Sequence, residues 1–384
     1  MNRSIPFAWL QLTHQRLRLL AAIAGIAFAV ILMLVQLGFK DALLSSAGLH
    51  FNHMNADLAL VSPQYEYLLA SKVFPRRRLA QALTVDGVES VDTIYCTQVP
   101  WKNPWTGHDR MIFLVGFKPN PGVLNLGSAN DLIEPLRLGD SALFDSFSRP
   151  EFGPVREELA ANRHLTTEIG GHHVEIIGLF SIGTSFGADG TVITSDRNYF
   201  RIVPYLSPDG ANIGLIKLKP GSDPEAVRAR LAQLLPNDVV VLTHSGLIDL
   251  ERSHWESSTP IGFVFNLGVT MGLFVGCIIV YQILYTDVTD HLAEYATLKA
   301  LGYRNRALFS MVIQESMILS LFGFLPGLGI SMLVYRIAGH ATLLPLRMTV
   351  LRIVTVYLLT AIMCVVSGAL AMRKLRSADP AEIF

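Results

Sequence analysis

The chain has 384 residues, 51% of them hydrophobic and only 16% charged, where soluble domains carry about 25% charge. Lys and Arg total 31 against 31 Asp and Glu, a balance that offers no basic footprint for nucleic acid and no acidic tail. At about 150 residues per domain the length admits two or three units, but the apolar excess sits in four blocks, the mark of an integral membrane protein.

Ahead of the first block, Ile5–Arg18 mixes Phe7, Trp9, Leu10 and Leu12 with His14, Gln15 and Arg16, with Ser4 placed to cap it and Pro6 in the first turn. Residues 1–18 read as a helix lying in the cytoplasmic interface, or as a cytosolic extension of the first span. Leu19–Phe39, Ile261–Thr286, Ser316–Tyr335 and Ile353–Met372 are uncharged runs of 20 to 26 residues. At 1.5 Å per residue each crosses a hydrocarbon core of about 30 Å. The apolar core of the first run is longer than that of a cleaved signal peptide, and Ser45-Ser46-Ala47 is a weak cleavage site, so it reads as a retained anchor.

The chain then divides as the first span at 19–39, an extracytoplasmic domain at 40–259, and the second span at 260–286. A cytoplasmic helix and loop follow at 287–306, the third span at 307–335, an external loop at 336–350, the fourth span at 351–372 and a tail at 373–384. Arg3, Arg16 and Arg18, then Lys299, Arg304 and Arg306, then Arg373, Lys374 and Arg376 alternate onto one side, which predicts cytoplasmic termini. Arg336, Arg347 and Arg352 on the opposing loop make the bias modest.

Within 40–259 the only cysteine is Cys96; Cys277 and Cys364 lie in spans. No internal disulfide or cysteine zinc site is available to the domain. Ala56–Ser62 reads as a strand, Arg76–Leu83 as a helix, and Val88–Val99 and Arg110–Phe117 as strands. The pattern returns with a strand at Ile213–Leu218, the turn Pro220-Gly221, a helix at Pro224–Leu235 and a strand at Val239–Thr243. Ser222 and Glu225 have capping-box spacing, with Ser222 as cap. Two β-α-β units predict a split βαβ, porter-like sandwich. Residues of about 120–212, with strands at His173–Phe180 and Thr191–Thr194, read as an inserted lobe. The fold class is membrane α+β: four transmembrane helices with a large α/β domain between helices 1 and 2.

Candidate chemistry is thin. His172 and His173 are adjacent and point to opposite faces of a strand, and with His164 they form no zinc spacing. The Gly183–Gly190 stretch (GTSFGADG) is glycine-rich but lacks the Lys-Ser/Thr of a phosphate loop and a helix to follow. It reads as a tight turn, or as a contact surface through Phe186. Trp101 and Trp105 occupy a loop-like PWKNPWTG stretch and either anchor an interface or fold back over the sheet. Arg76–Arg78 read as a solvated helix start, or as a face toward an anionic lipid or acidic partner. No G-x-x-x-x-G-K-[ST] occurs, so the chain carries no nucleotide-hydrolysing motor of that type.

The cytoplasmic segment Asp287–Tyr303 (DVTDHLAEYATLKALGY) favours a short amphipathic helix, with Thr289 or Asp290 as cap and Gly302 as stop. On residue physics alone it is a connector as readily as a docking element. Glu294–Tyr303 (EYATLKALGY), followed by Gln314-Glu315 and by Gly323 and Gly327, is similar to the FtsX/MacB-type ABC permease domain. Leu375–Phe384 resembles that family's C-terminal tail, and one span, a large external domain and three clustered spans resemble its layout. His291 stands where the broader family often has Arg, and this, with Gly183-Thr184-Ser185-Phe186 and Asp189-Gly190, resembles the DevC-type branch.

That resemblance implies a non-catalytic homodimeric permease in the inner membrane, bound to a separate cytoplasmic ATPase that carries the ATP and Mg; this chain itself would hold no cofactor or metal. Asp290, His291, Glu294, Tyr295, Thr297, Lys299, Leu301 and Gly302 would form the ATPase-coupling helix. It implies mechanotransmission, in which ATP-driven closure moves the periplasmic domains. It further implies a periplasmic adaptor of the HlyD (membrane-fusion) class, a TolC-like outer-membrane duct and export of a glycolipid or similar amphiphile, with Trp101, Trp105 and Phe186 as candidate adaptor contacts. The rival reading is an FtsX-like transducer that regulates an extracytoplasmic enzyme and transports nothing. Gln314 and Glu315 are the intramembrane polar residues; Glu315 is expected to contact the bundle or the coupling helix. Gly268, Gly272, Gly276, Gly323, Gly327 and Gly329 permit close helix approach and are candidates for a dimer seam, or face lipid.

Overall fold

The structure, a computed structural model, describes residues 16–161, 164–185, 187–292, 294, 297, 301 and 305–377. The expected interfacial helix ahead of Arg16 and the tail beyond Ser377 lie outside the described residues. The chain forms two compact units: Met1–Ala42 with Pro260–Thr342 and Leu346–Phe384, and Leu43–Thr259 with Leu343–Pro345.

Helices dominate the first unit because its sequence is apolar on every face, which only a buried or membrane-embedded helix tolerates. Helix α1 spans Arg16–Ala47, α6 Pro260–Asp290, α7 Asn305–Thr342 and α8 Val350–Ser377. Each contains a stretch long and apolar enough to cross a membrane. Ser46 and Ala47 are buried within α1.

Glycine sets how closely these helices approach. A Cβ on Gly268 would lie 2.5 Å from the Gln36 side chain, and one on Gly276 2.8 Å from Ala29 Cβ. On α7, a Cβ on Gly323 would lie 2.5 Å from Ile26, and one on Gly327 2.8 Å from Val30. Gly272 faces Leu32 and Met33. Five of the six glycines expected at a dimer seam are therefore spent on packing α6 and α7 against the chain's own α1. Gly329 alone of the six meets nothing within 4 Å.

The second unit is built on a nine-stranded sheet. Its strands are β1 (Leu58–Val61), β2 (Val88–Lys102), β3 (Asp109–Phe117), β4 (Ser141–Asp145), β5 (Leu165–Ile169), β6 (His172–Phe180), β7 (Thr191–Ser195), β8 (Ile213–Leu218) and β9 (Val240–Thr243). Their order is β9-β1-β8-β2-β3-β7-β4-β6-β5. At one end the two β-α-β units interleave: β1 lies between β8 and β9 and β8 between β1 and β2, all antiparallel. Helix α2 (Arg77–Ala82) seats Leu79 over Gly214, where a Cβ would come within 2.5 Å of it. Helix α4 (Pro224–Leu234) buries Val227 and Leu231. The cap of α4 is Asp223, which accepts from Glu225 N at 3.1 Å, and not Ser222, whose hydroxyl turns toward Gly87 O. The carboxylate one residue closer to the helix takes the exposed N–H of Glu225.

Residues of the expected inserted lobe extend the same sheet. β7 pairs parallel with β3, β4 lies between β7 and β6, and β5 returns to β2 at Trp101–Ile169 and Lys102–Glu168. The six strands β2, β3, β7, β4, β6 and β5 thereby close into a ring, which leaves those strands without a free edge. One face of the strands gathers Tyr95, Trp101, Ile112, Phe144 and Val192 with Tyr199 of α3 (Asp196–Ile202). The opposite face gathers Ile94, Cys96, Phe113, Leu143 and Ile193. Neither β4 nor β5 was expected from the sequence, nor was α5 (His244–Ser253). All five residues of β4 are buried, so no polar-apolar alternation marks it as a strand.

Candidate functional site

Three helices of the membrane unit bring ionisable groups together at one end. Arg18 comes from the start of α1, Asp287 and Asp290 from the end of α6, and Glu315 from the fourth turn of α7, where its side chain is buried. Arg18 Nη2 donates to Asp290 Oδ2 at 2.7 Å, and its Nη1 stands 4.0 Å from Asp287 Oδ1. Asp287 is 6% exposed, and its carboxyl lies against that of the buried Glu315. His291 Nδ1 closes the cluster at 3.0 Å from Asp287 O and 3.6 Å from its Oδ1. Asp287 and Asp290 thus share one guanidinium, and both the His291 imidazole and the Glu315 carboxyl bear on Asp287. Arg18 Nη1 and Asp287 Oδ2 are buried without a conventional hydrogen-bond partner. Charge at membrane depth is retained only where it is paired or functional, and this cluster is incompletely paired.

The cluster adjoins the segment expected to couple to an ATPase. Thr289 and Asp290 do not cap a new helix: Asp290 ends α6, and the Thr289 hydroxyl donates back to Tyr285 O at 2.7 Å. Leu292, Glu294 and Thr297 are helical, and Leu301 N donates to Thr297 O at 3.0 Å. Glu294 and Thr297 are exposed, and Leu301 is 73% exposed, an unusual setting for a leucine beside charged groups. Tyr295, Lys299 and Gly302 lie outside the described residues. Gln314 is exposed and reaches only Ser310 Oγ, at 3.4 Å.

Residues 266–380 match the family described as FtsX-like permease C-terminal. The matched region thus takes in all of α7 and α8, most of α6, residues 291–301 and every member of the polar cluster except Arg18. No curated protein matches the chain. Among solved structures, the periplasmic region of MacB from Actinobacillus actinomycetemcomitans is 8% identical over 50% of this chain and 91% of that one, with a TM-score of 0.35. The extracellular domain of the ABC-type transporter YknZ from Gram-positive bacteria is 15% identical over 48% and 99%, with a TM-score of 0.34. A permease domain from Porphyromonas gingivalis is 12% identical over 49% and 89%, at 0.31. At such scores the likeness decides nothing about the fold.

The opposite end of the helix bundle holds a second polar group. Arg352 of α8, 8% exposed, donates from Nη2 to Asp41 Oδ2 at 2.5 Å and from Nη1 to Arg347 O at 2.8 Å and Tyr335 Oη at 3.2 Å. Tyr335 in turn donates to Leu34 O, and the guanidinium sits 5.8 Å from its ring centroid. Nearby, Lys40 Nζ donates to Asn266 Oδ1 at 3.1 Å. Sequence reasoning treated Arg352 only as a loop charge and passed over Asp41 and Tyr335. The available signal was an Asp and an Arg placed at the ends of apolar runs.

In the second unit, Trp101 is fully buried and donates Nε1–H to Phe152 O at 3.2 Å. It is a core residue and presents nothing to an adaptor, because β2 extends to Lys102 and carries the indole into the closed ring of strands. Trp105 is 41% exposed on the β2–β3 turn, where Asn103 Oδ1 accepts from Trp105 N and Thr106 N. Its ring leans on Gly153, whose φ of +103° and missing side chain make the room. Phe186 lies outside the described residues. The surrounding turn is tightly held: the Asp145 carboxylate accepts from Gly183 N at 2.7 Å and Phe147 N at 3.0 Å, and Asp189 bridges Arg149 and Arg110 at 2.6 and 2.5 Å. Burial pushes the Asp145 carboxyl up despite these N–H groups. Thr184 Oγ1 donates to Leu343 O at 3.3 Å. His164 lies 2.8 Å from Glu175, and His173 is largely exposed, 4.0 Å from Glu168. Arg78 is buried and grips Asp238 through both Nε and Nη2, whereas Arg77 is exposed.

Proposed function

We propose that the chain is the permease subunit of an ABC-type tripartite efflux pump. The observation that carries the reading is the FtsX-like match over 266–380, which spans both residues 291–301, where Glu294, Thr297 and Leu301 are exposed, and the buried carboxyls beside them. In this reading the chain is a homodimeric, non-catalytic inner-membrane subunit of the DevC type, with both termini in the cytoplasm. A partner ATPase holds ATP and Mg and docks on Asp290–Gly302. The polar cluster of Arg18, Asp287 and Glu315 receives the movement of that helix, and the periplasmic domain passes it to a HlyD-class adaptor and a TolC-like duct. The cargo is a glycolipid or another amphiphile.

Crosslinking in native membranes followed by mass spectrometry tests the assembly. Recovery of a Walker-motif ATPase together with an adaptor and an outer-membrane duct supports the pump. An ATPase recovered with a cell-wall hydrolase moves the reading to the FtsX-like transducer, which keeps the same helix but exports nothing. Absence of any ATPase despite crosslinks through 290–302 overturns both. Once the ATPase is known, replacing Glu294 and Lys299 together should uncouple hydrolysis from export while leaving folding intact.

A further inference from the structure

Glu251, at the end of α5, is 2% exposed and accepts three hydrogen bonds. Tyr65 Oη and Leu68 N donate to its Oε2, each at 2.9 Å, and Trp255 Nε1 donates to its Oε1 at 3.2 Å. Among the described residues, no cation ion-pairs or hydrogen-bonds with it. Tyr65 comes from the 62–70 loop, Cys96 from β2, and Asp249, Arg252, His254 and Glu256 are its neighbours along the chain; none of the basic ones bears on the carboxyl.

Immediately after α5, His254–Ser258 form a π turn, the last structure before Pro260 opens α6. Such turns are rare and recur at functional places. This one is fastened from the side. The Tyr67 ring stacks on His254 at 4.6 Å and meets Trp255 edge-on at 5.2 Å, while Glu251 holds the Trp255 indole N–H.

We propose that Glu251 is a proton-operated clamp on the π turn that leads into the second span. Ionised, it accepts from all three donors. A proton on Oε1 would set its O–H against the Trp255 N–H, donor against donor, and release the indole. A proton on Oε2 is accepted by the Tyr65 hydroxyl, which rotates from donor to acceptor, and leaves Oε1 a neutral carbonyl that holds the indole less strongly than a carboxylate does. Burial pushes the Glu251 carboxyl up to about 7, outweighing the hydrogen bonds from Tyr65, Trp255 and Leu68. The native pKa therefore stands above the unfolded value, and the folded state binds the extra proton between the two. The stability this group contributes is greatest below the unfolded carboxylate value and is lost as pH rises through about 7. Closing the clamp by ionisation thus draws on fold stability, and acidification both relaxes the turn and recovers that stability.

The inference concerns this chain alone and stands apart from the export reading. The full-length chain, labelled with 5-fluorotryptophan and held in lipid nanodiscs, provides the test by fluorine NMR. The Trp255 resonance is assigned from its loss in Trp255→Phe. It should move with pH around neutrality, and the movement should vanish in Glu251→Gln. Tyr65→Phe, which removes one donor to the carboxylate, should shift the midpoint to higher pH, and this variant keeps the test alive if the glutamine variant does not fold. His254→Gln should leave the titration in place. A resonance that is flat from about pH 5 to about pH 9 overturns the proposal. So does a titration that persists in Glu251→Gln or disappears in His254→Gln, since the imidazole would then be the responding group.

Discussion

The two polar groups of the helix bundle use similar residues to opposite ends. At the Asp41 end, a single Arg352 spends its donors on Asp41, Tyr335 and the Arg347 carbonyl, and the Tyr335 hydroxyl donates in turn to Leu34 O. At the Arg18 end, two aspartates face one guanidinium while a third carboxyl, that of Glu315, lies against Asp287, and buried polar atoms on both Arg18 and Asp287 go without a conventional partner. A satisfied network fixes one arrangement of helices, while an under-paired one has alternatives of similar energy. The comparison teaches which end should yield when a partner pushes: the end that adjoins the exposed Glu294 and Thr297.

The sharpest way to break this contrast is to remove Arg352. Arg352→Ala leaves Asp41 and Tyr335 without their shared donor. Losing one partner of a buried pair costs 3–5 kcal/mol, and because the Asp41 side chain is 60% exposed the expected loss is about 2–3 kcal/mol, read by denaturant unfolding in mixed micelles. Gly38→Ala attacks the same end sterically, since a Cβ there would run into the Tyr335 hydroxyl. A cost of about 1–3 kcal/mol is expected, against a change within about 0.5 kcal/mol for Gly329→Ala, which meets open space. At the other end Glu315→Gln should shift stability by about 1 kcal/mol or less, because the amide can donate to the Asp287 carboxyl beside it. Smallest of all, a double-mutant cycle between Arg18→Gln and Asp290→Asn should return about 0.5 kcal/mol, as for other half-exposed pairs. If Glu315→Gln proved costlier than Arg352→Ala, the assignment of the rigid and yielding ends would be reversed.

Much of this architecture is legible in the residues. Uncharged runs of 20 or more residues announce helices, and the return of a strand-helix-strand pattern near both ends of the second unit foreshadows the interleaving of β1, β8, β2 and β9. What escaped notice follows a physical pattern. β4 is buried on both faces and so lacks alternation. Trp101 looks like a loop residue because Pro100 and Pro104 flank it, yet its partner strand β5 lies 60-odd residues away in sequence, beyond any local signal. The seam-like glycines were legible as sites of close approach, but their periodicity could not say which helix approaches, and α1 of the same chain takes five of them. Of the candidate site, Asp290, His291 and Glu315 stood out in the sequence, whereas the link to Arg18 joins residues about 270 positions apart and needed the fold.

Strand β2 runs without interruption for 15 residues, pairing with β8 along its first half and with β3 and β5 along its second. Its backbone is shared property: cutting out residues 120–212 would strip β3 of β7 and leave the far end of β2 without β5. Fragments bounded at those positions should therefore misfold as a pair, and evolution could lengthen this unit only at its turns. The slowest-exchanging amides should lie near Tyr95 and Cys96, where the strand passes from one set of neighbours to the next.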